Sequence, residues 1–195
     1  MNFTSHSQAG QDRFIYELLV KPENYLAGTF LDIGCSDPVY INNTLALEQL
    51  GWRGWLIDGD AAWAEDCKAK RLSPFVCYDA TQIDWSLLCG DQKVFGYISL
   101  DVDHAQVAAL KNLLKHGIRF RAATVEHDFY RFGPEPRKEI RALLHAAGYT
   151  ILCEDVLCNG PEPYEDWWID TRRVNPSVAS RFSCVNTEGA EIAKR

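Results

Sequence analysis

Acidic side chains close a series of short apolar runs along this 195-residue chain: Asp32 with Gly34, Asp58 with Asp60, Asp79, Asp101 with Asp103, and Glu126 with His127 and Asp128. A carboxylate in such a place has two readings. It caps the following helix or forms a turn, because a short acceptor side chain satisfies free backbone N–H groups. Or it faces a ligand, because an open parallel sheet binds ligands beyond the carboxyl ends of its strands. Five such groups in succession favour the second reading.

The spacing narrows the ligand. Asp58 follows Gly34 by 24 residues, close to the interval of about 20 at which a second-strand acid meets an adenosine ribose. The turn after the first strand, Gly34-Cys35-Ser36-Asp37-Pro38, holds one glycine and one aspartate. A pyrophosphate requires several glycines for close backbone approach, and a carboxylate repels it. A cationic sulfonium bearing an amino group is attracted instead. The turn therefore selects S-adenosylmethionine (SAM) over NAD, and a NAD-dependent oxidoreductase loses on the missing glycines. Asp58 is the ribose contact that this interval predicts, and Ser36 in the turn and Asp101 at the fourth strand end are expected to contact the cofactor as well.

Two clusters stand where an acceptor molecule belongs: Asp101-Val102-Asp103-His104 and Glu126-His127-Asp128-Phe129-Tyr130-Arg131. Transfer to an alcohol needs alignment of the two reactants and the management of one proton. His127 is the natural general base, since an unperturbed imidazole titrates near pH 6.5, with Asp101 beside it. A second scheme has Asp101, Asp103 and Glu126 holding Mg²⁺ or Mn²⁺, which binds acceptor oxygens and lowers the pKa of one. In a third, Asp101 holds the methionine part of SAM and Asp103 caps the next helix. Tyr164-Glu165-Asp166-Trp167-Trp168 either borders the acceptor with aromatic faces suited to sugar rings or belongs to the core.

The elements that must position these groups alternate. Helices are expected at Gln11 to Val20, Asn42 to Leu50, Ala61 to Arg71, His104 to His116 and Glu135 to Ala147. Strands are expected at Thr29 to Gly34, Gly54 to Asp58, Pro74 to Tyr78, Val94 to Leu100, Phe120 to Glu126, Tyr149 to Leu157 and Trp167 to Asp170. This order predicts an α/β fold of the Rossmann-like type, a mainly parallel seven-stranded sheet with helices on both faces. The length suits a single domain over residues 1–195, with residues 1–27 as an N-terminal lid and helix segment and 186–195 as a frayed tail.

Composition excludes several classes. With 47% hydrophobic and 24% charged residues the chain is ordinary for a globular protein. No apolar run approaches the roughly 20 residues of a membrane span, and no basic start precedes an apolar stretch, so a cytoplasmic protein is expected. A net charge of −7 with scattered Lys and Arg argues against nucleic acid as a partner. Seven cysteines without a CxxC pair are expected to be reduced.

The motifs also carry a family resemblance. Ser7-Gln8-Ala9-Gly10-Gln11-Asp12 is similar to the SQ-x-GQD segment of FkbM-type methyltransferases, and Gly28 to Gly34 resembles their first strand. Asn43-Thr44, Glu48, Gly51-Trp52 and Gly54 match the pattern that follows, and Leu56-Ile57-Asp58 stands in place of the usual IEP. Ser99 to Asp103 resembles the DVEG region and Gly148-Tyr149 the late GY turn. Pro38 replaces a usual glycine of the cofactor loop, and Asp103-His104 replaces Glu-Gly. The resemblance implies a class I fold and a SAM-dependent O-methyltransferase acting on a carbohydrate or related small metabolite. It also implies that Asp32, Gly34 and Asp58 hold SAM, with Asp79 near the adenine amino group. The Asp-x-Asp after the fourth strand is similar in layout to metal-dependent catechol and sugar O-methyltransferases. The alternative of another class is a SAM- or nucleotide-binding module without turnover in a glycan or surface-assembly complex.

Overall fold

Strands that alternate with helices assemble here into one seven-stranded sheet, seen in a computed structural model that describes residues 3–158 and 160–182. The strands are β1 (Thr29–Ile33), β2 (Arg53–Asp58), β3 (Phe75–Cys77), β4 (Val94–Leu100), β5 (Arg119–Glu126), β6 (Thr150–Leu157) and β7 (Pro163–Ile169), in the order β3-β2-β1-β4-β5-β7-β6. Strands β1 to β5 pair in parallel. β7 runs antiparallel to both β5 and β6. The short link between β6 and β7 explains this, because a parallel pair needs a crossover of a dozen residues or more. β7 also starts four residues before the expected Trp167. Pro163 is tolerated as its first residue, where a missing N–H matters least.

Alternate residues of the central strands enter two cores. On one face Leu31, Ile33, Ile98, Leu100, Ala123 and Val125 pack with residues of α6 (Gln106–Lys115) and α8 (Pro134–Ala146). On the other, Phe30, Tyr97 and Ala122 meet Phe14 and Ile15 of α1 (Gln11–Ile15), and Leu18 and Leu19 in the π-helical turn Tyr16–Val20 that continues it into α2 (Lys21–Glu23). Burial on both sides is why these strands read as nearly continuous apolar runs.

One helix is shorter than its sequence pattern. α3 spans Leu45–Gln49 and not Asn42 to Leu50. The Asn42 side chain accepts from the N–H groups of Thr44 (3.0 Å) and Leu45 (2.9 Å) and donates to the carbonyls of Cys35 (3.3 Å) and Asp37 (3.2 Å). Asparagine bonded in this way competes with the helix and ends it. The expected helix Ala61 to Arg71 becomes a 3₁₀ turn, Ala61–Trp63, followed by α4 (Ala64–Lys70). Three short helices carry too few turns to show a period in sequence: α5 (Trp85–Cys89), α7 (Phe129–Phe132) and α9 (Pro176–Ala179).

Not every cysteine is reduced. Cys35, Cys67, Cys77, Cys89 and Cys158 are free thiols, whereas Cys153 is disulfide-bonded. The expected frayed tail lies outside the described residues. Among the described residues no helix is long and apolar enough to cross a membrane.

Candidate functional site

The carboxyl ends of β3, β2, β1 and β4 open into one cavity of about 960 Å³. That is the upper end of small-molecule pockets, which span roughly 300–1,000 Å³. Its wall carries Asp32, Asp37, Asp58, Asp79, Asp101 and Asp103, and no Lys or Arg side chain lines it among the described residues.

The floor is set by Gly34. Its φ is +83°, and a Cβ there would lie 1.5 Å from the carbonyl oxygen of Asp101. Only glycine allows the end of β1 to touch the end of β4 so closely. Backbone bonds stitch this edge: Gly34 and Cys35 N–H donate to the Ile57 carbonyl (2.8 and 3.1 Å), and Asp101 N–H donates to Ile33 (2.9 Å). Beside it, Asp58 accepts from the N–H groups of Ser36 (2.9 Å) and Asp60 (2.9 Å), one on each oxygen. Each carboxylate oxygen keeps a second lone-pair site for a ligand hydroxyl. Asp79 accepts from the N–H (2.8 Å) and hydroxyl (2.7 Å) of Thr81, which hold its carboxyl below the ordinary range. Asp32 is buried, and burial pushes its carboxyl up to about 6 against the pull of Arg71 and of hydrogen bonds from Thr44 and Asn42.

A buttress absent from the sequence reading supports the loop after Gly34. Arg71, at the end of α4, is buried and donates to Glu48 (2.9 Å), the Pro38 carbonyl (3.3 Å), Asn42 Oδ1 (3.1 Å) and Thr44 Oγ1 (2.9 Å). Thr44 in turn donates to Asp32 at 2.6 Å. Pro38 offers only a carbonyl here, so its missing N–H costs the loop nothing. A single arginine after a helix gives no signal in sequence; its partners lie 23 to 33 residues away.

The N-terminal segment is folded against this site. Asp12 is buried and gathers the hydroxyls of Ser5 (2.6 Å) and Ser7 (2.6 Å) with the N–H of His6 (2.7 Å). The resulting turn brings Gln8 to the cavity wall.

At the far end the predicted residues separate into two groups. Asp101 lines the cavity, takes a hydrogen bond from the Tyr164 hydroxyl (2.9 Å), and meets the side chain of Glu126. Glu126 is buried; burial, with Asp101 and Asp128 beside it, pushes its carboxyl up to about 12. Asp103 lines the cavity but ends in an ion pair with Arg131 (2.5 Å), its backbone turned by a φ of +51°. The expected trio of Asp101, Asp103 and Glu126 does not gather as a metal site. Among the described residues the one set of three donors within 4.8 Å of each other is His127, Asp155 and Asp166. There Arg141 grips Asp166 through two bonds of 2.8 Å, and Arg137 and Arg141 both reach Asp155 (2.7 Å). Two guanidiniums already balance the two carboxylates, so a dication is a poor fit.

His127 is fully buried and absent from the cavity wall. Its Nε2 lies 3.7 Å from Asp166 and 3.8 Å from Asp155. Burial opposes ionisation of Asp166, but Arg141 and the nearby imidazole hold it at about 2. The following residues explain the placement: His127 N–H still donates to Tyr164 (3.1 Å), so the chain continues along β7 past the sheet edge. Trp167 and Trp168 are core residues, Trp167 stacked on Phe14 at 4.6 Å.

Proteins of known structure are similar to this chain in fold. A TehB-like SAM-dependent methyltransferase from Corynebacterium glutamicum matches with 15% identity over 82% of this chain and 86% of its own, at a TM-score of 0.54. An rRNA methylase from Streptococcus thermophilus matches with 12% identity over 87% and 98%, also at 0.54. WbdD matches with 15% identity over 92% of this chain but 42% of its own, at 0.57. The fold is that of the SAM-dependent methyltransferases. No family model and no curated protein sequence matches the chain.

The cavity suits that cofactor. Among the described residues its wall carries six aspartates and no Lys or Arg, which favours a sulfonium and an ammonium group, and the close contact of Gly34 with the Asp101 backbone sets its floor.

Proposed function

We propose that the protein is a SAM-dependent methyltransferase of the FkbM type that methylates a hydroxyl of a carbohydrate or related small metabolite. The observation that carries this reading is the carboxylate-lined cavity, without Lys or Arg on its wall among the described residues, over a single-glycine turn. Bound SAM supplies an electrophilic methyl group on a good leaving group.

The chain's own residues do the rest. Asp58 receives the ribose hydroxyls on its open lone pairs, and Asp79 borders the adenine end. Gly34 lets the ends of β1 and β4 close up beneath the cofactor, while Asp32 and Asp101 place negative charge where the sulfonium and ammonium lie. Asp101, held by Tyr164, is the group that takes the acceptor proton. A wall without Lys or Arg among the described residues disfavours phosphorylated or carboxylated acceptors, which supports a neutral hydroxyl compound.

Methyl-labelled SAM offered with neutral sugars and with their phosphorylated and uronic-acid counterparts tests this reading. Label should enter neutral acceptors. Transfer to the anionic set alone would contradict it.

A further inference from the structure

Three consecutive apolar side chains stand in the open beside the cavity. Val39, Tyr40 and Ile41 are 40%, 74% and 48% exposed, and none of them joins either core. Among the described residues this is the one run of three large apolar side chains left exposed. Exposed apolar residues scattered singly are ordinary, whereas a contiguous group marks a contact. Tyr40 and Ile41 belong to the cavity wall, so the group forms a lip at its mouth.

The loop is built to hold them there. Asp37 Oδ1 accepts from the N–H groups of Val39 and Tyr40, both at 2.8 Å. Asn42 and Arg71 donate to the carbonyls of Asp37 (3.2 Å) and Pro38 (3.3 Å), and Asn43 ties the end of the loop to Ser99 of β4 (2.9 Å). These bonds fix the backbone and leave the side chains of residues 39–41 to solvent. Ile41 has a φ of +46°, a conformation in which a β-branched residue is strained. Such strain persists only where the surroundings impose it, and ligand clamps are among the places where it gathers. Glycine would relieve it, at the loss of the apolar side chain.

The cofactor leaves the lip without an occupant. Its sulfonium, ammonium and ribose hydroxyls are charged or polar. Its flat apolar part, the adenine, belongs at the β3 end beside Asp79, where Tyr78 and Trp63 already line the wall. The second reactant remains. Six aspartates, with no Lys or Arg among the described residues, admit an uncharged acceptor to the wall, and the lip offers an apolar surface where that acceptor enters.

We propose that Tyr40 and Ile41 are specificity residues for the acceptor, which take an apolar group carried beside the methylated hydroxyl, so that the substrate class is a neutral amphipathic compound such as an alkyl or aryl glycoside and not a free sugar. The assignment rests on the methyltransferase reading above.

Calorimetric titration of the S-adenosylhomocysteine-loaded protein tests it, with methyl β-glucoside and with octyl β-glucoside below its micelle concentration. Each methylene shielded from water strengthens binding about fourfold, so the octyl glucoside should bind the wild type at least about tenfold more tightly. Tyr40→Ser and Ile41→Gly should each reduce that preference several-fold and leave the affinity for S-adenosylhomocysteine unchanged. Tyr40→Phe, which keeps the ring, should keep the preference. Equal affinity for the two glucosides, absence of binding by both included, overturns the assignment. So does a preference that survives in either Tyr40→Ser or Ile41→Gly, which places the alkyl chain elsewhere. A loss of S-adenosylhomocysteine affinity in these variants overturns it too, since the lip then belongs to the cofactor site. Wild-type protein that does not bind S-adenosylhomocysteine overturns the cofactor reading itself and this assignment with it.

Discussion

Replacing Arg71 by methionine removes the charge of the cofactor-loop buttress while keeping most of its apolar stem. In the structure the Arg71 side chain is fully buried and Glu48 nearly so. Breaking a buried pair by removing one partner costs about 3–5 kcal/mol, because the other charge is left uncompensated. Glu48 is not wholly abandoned. It still accepts from the N–H groups of Leu72 (2.9 Å) and Ser73 (2.8 Å), which together with Arg71 hold its carboxyl below the ordinary range despite burial. The expected cost therefore falls at the lower end, about 3 kcal/mol. For a protein of this size each kcal/mol lowers Tm by about 2–4 °C, so Arg71→Met should melt roughly 6–12 °C below wild type by circular dichroism. S-adenosylhomocysteine affinity should fall too, since Pro38, Asn42 and Thr44 lose their common donor. Adding Glu48→Gln should recover part of the stability by removing the stranded charge. A Tm within about 2 °C of wild type, or a double variant that loses the full sum of both singles, would refute the reasoning.

Three further outcomes are expected. Asp32, raised to about 6 in the free protein, must be a carboxylate to attract a cation. Ligand binding therefore lowers its pKa, and affinity should fall about tenfold per pH unit below pH 6; a flat profile between pH 5 and 7, or one unchanged in Asp32→Asn, would exclude Asp32 from the contact. Hydrogen exchange in residues 5–14 should slow when S-adenosylhomocysteine is added, because Gln8 reaches the cavity; equal exchange would leave that segment a packing element only. Turnover should survive EDTA and drop about 10²–10⁴-fold in Asp101→Asn, the usual contribution of a positioned base; activity lost to EDTA and restored by Mg²⁺ would bring back the metal scheme.

Much of the sheet was legible because burial on both faces leaves apolar runs and the acids punctuate their ends. β4 is found at the expected Val94 to Leu100, and β1, β2 and β5 lie within a residue or two of expectation. The acids of the first four strand ends do meet in one cavity. What sequence did not show was side-chain direction after the strands end. His127 follows its strand by one residue and Asp103 by three, where one positive φ or one backbone bond to a neighbouring strand redirects the side chain. Partners distant along the chain were equally hidden: Arg71 for the loop, Tyr164 for Asp101, Ser99 for Asn43. The α3 start was misplaced for a local reason, since Asn42 spends its amide on the turn.

The central claim is that the cavity binds an adenosyl sulfonium cofactor without a pyrophosphate. Isothermal titration with S-adenosylhomocysteine and, separately, with NAD tests it most directly, with Asp58→Ala as the companion variant. The account predicts micromolar-scale binding of S-adenosylhomocysteine, no binding of NAD, and a loss of about 1.5–3 kcal/mol in Asp58→Ala. Binding of NAD in preference to S-adenosylhomocysteine, or unchanged affinity in a folded Asp58→Ala, would contradict it.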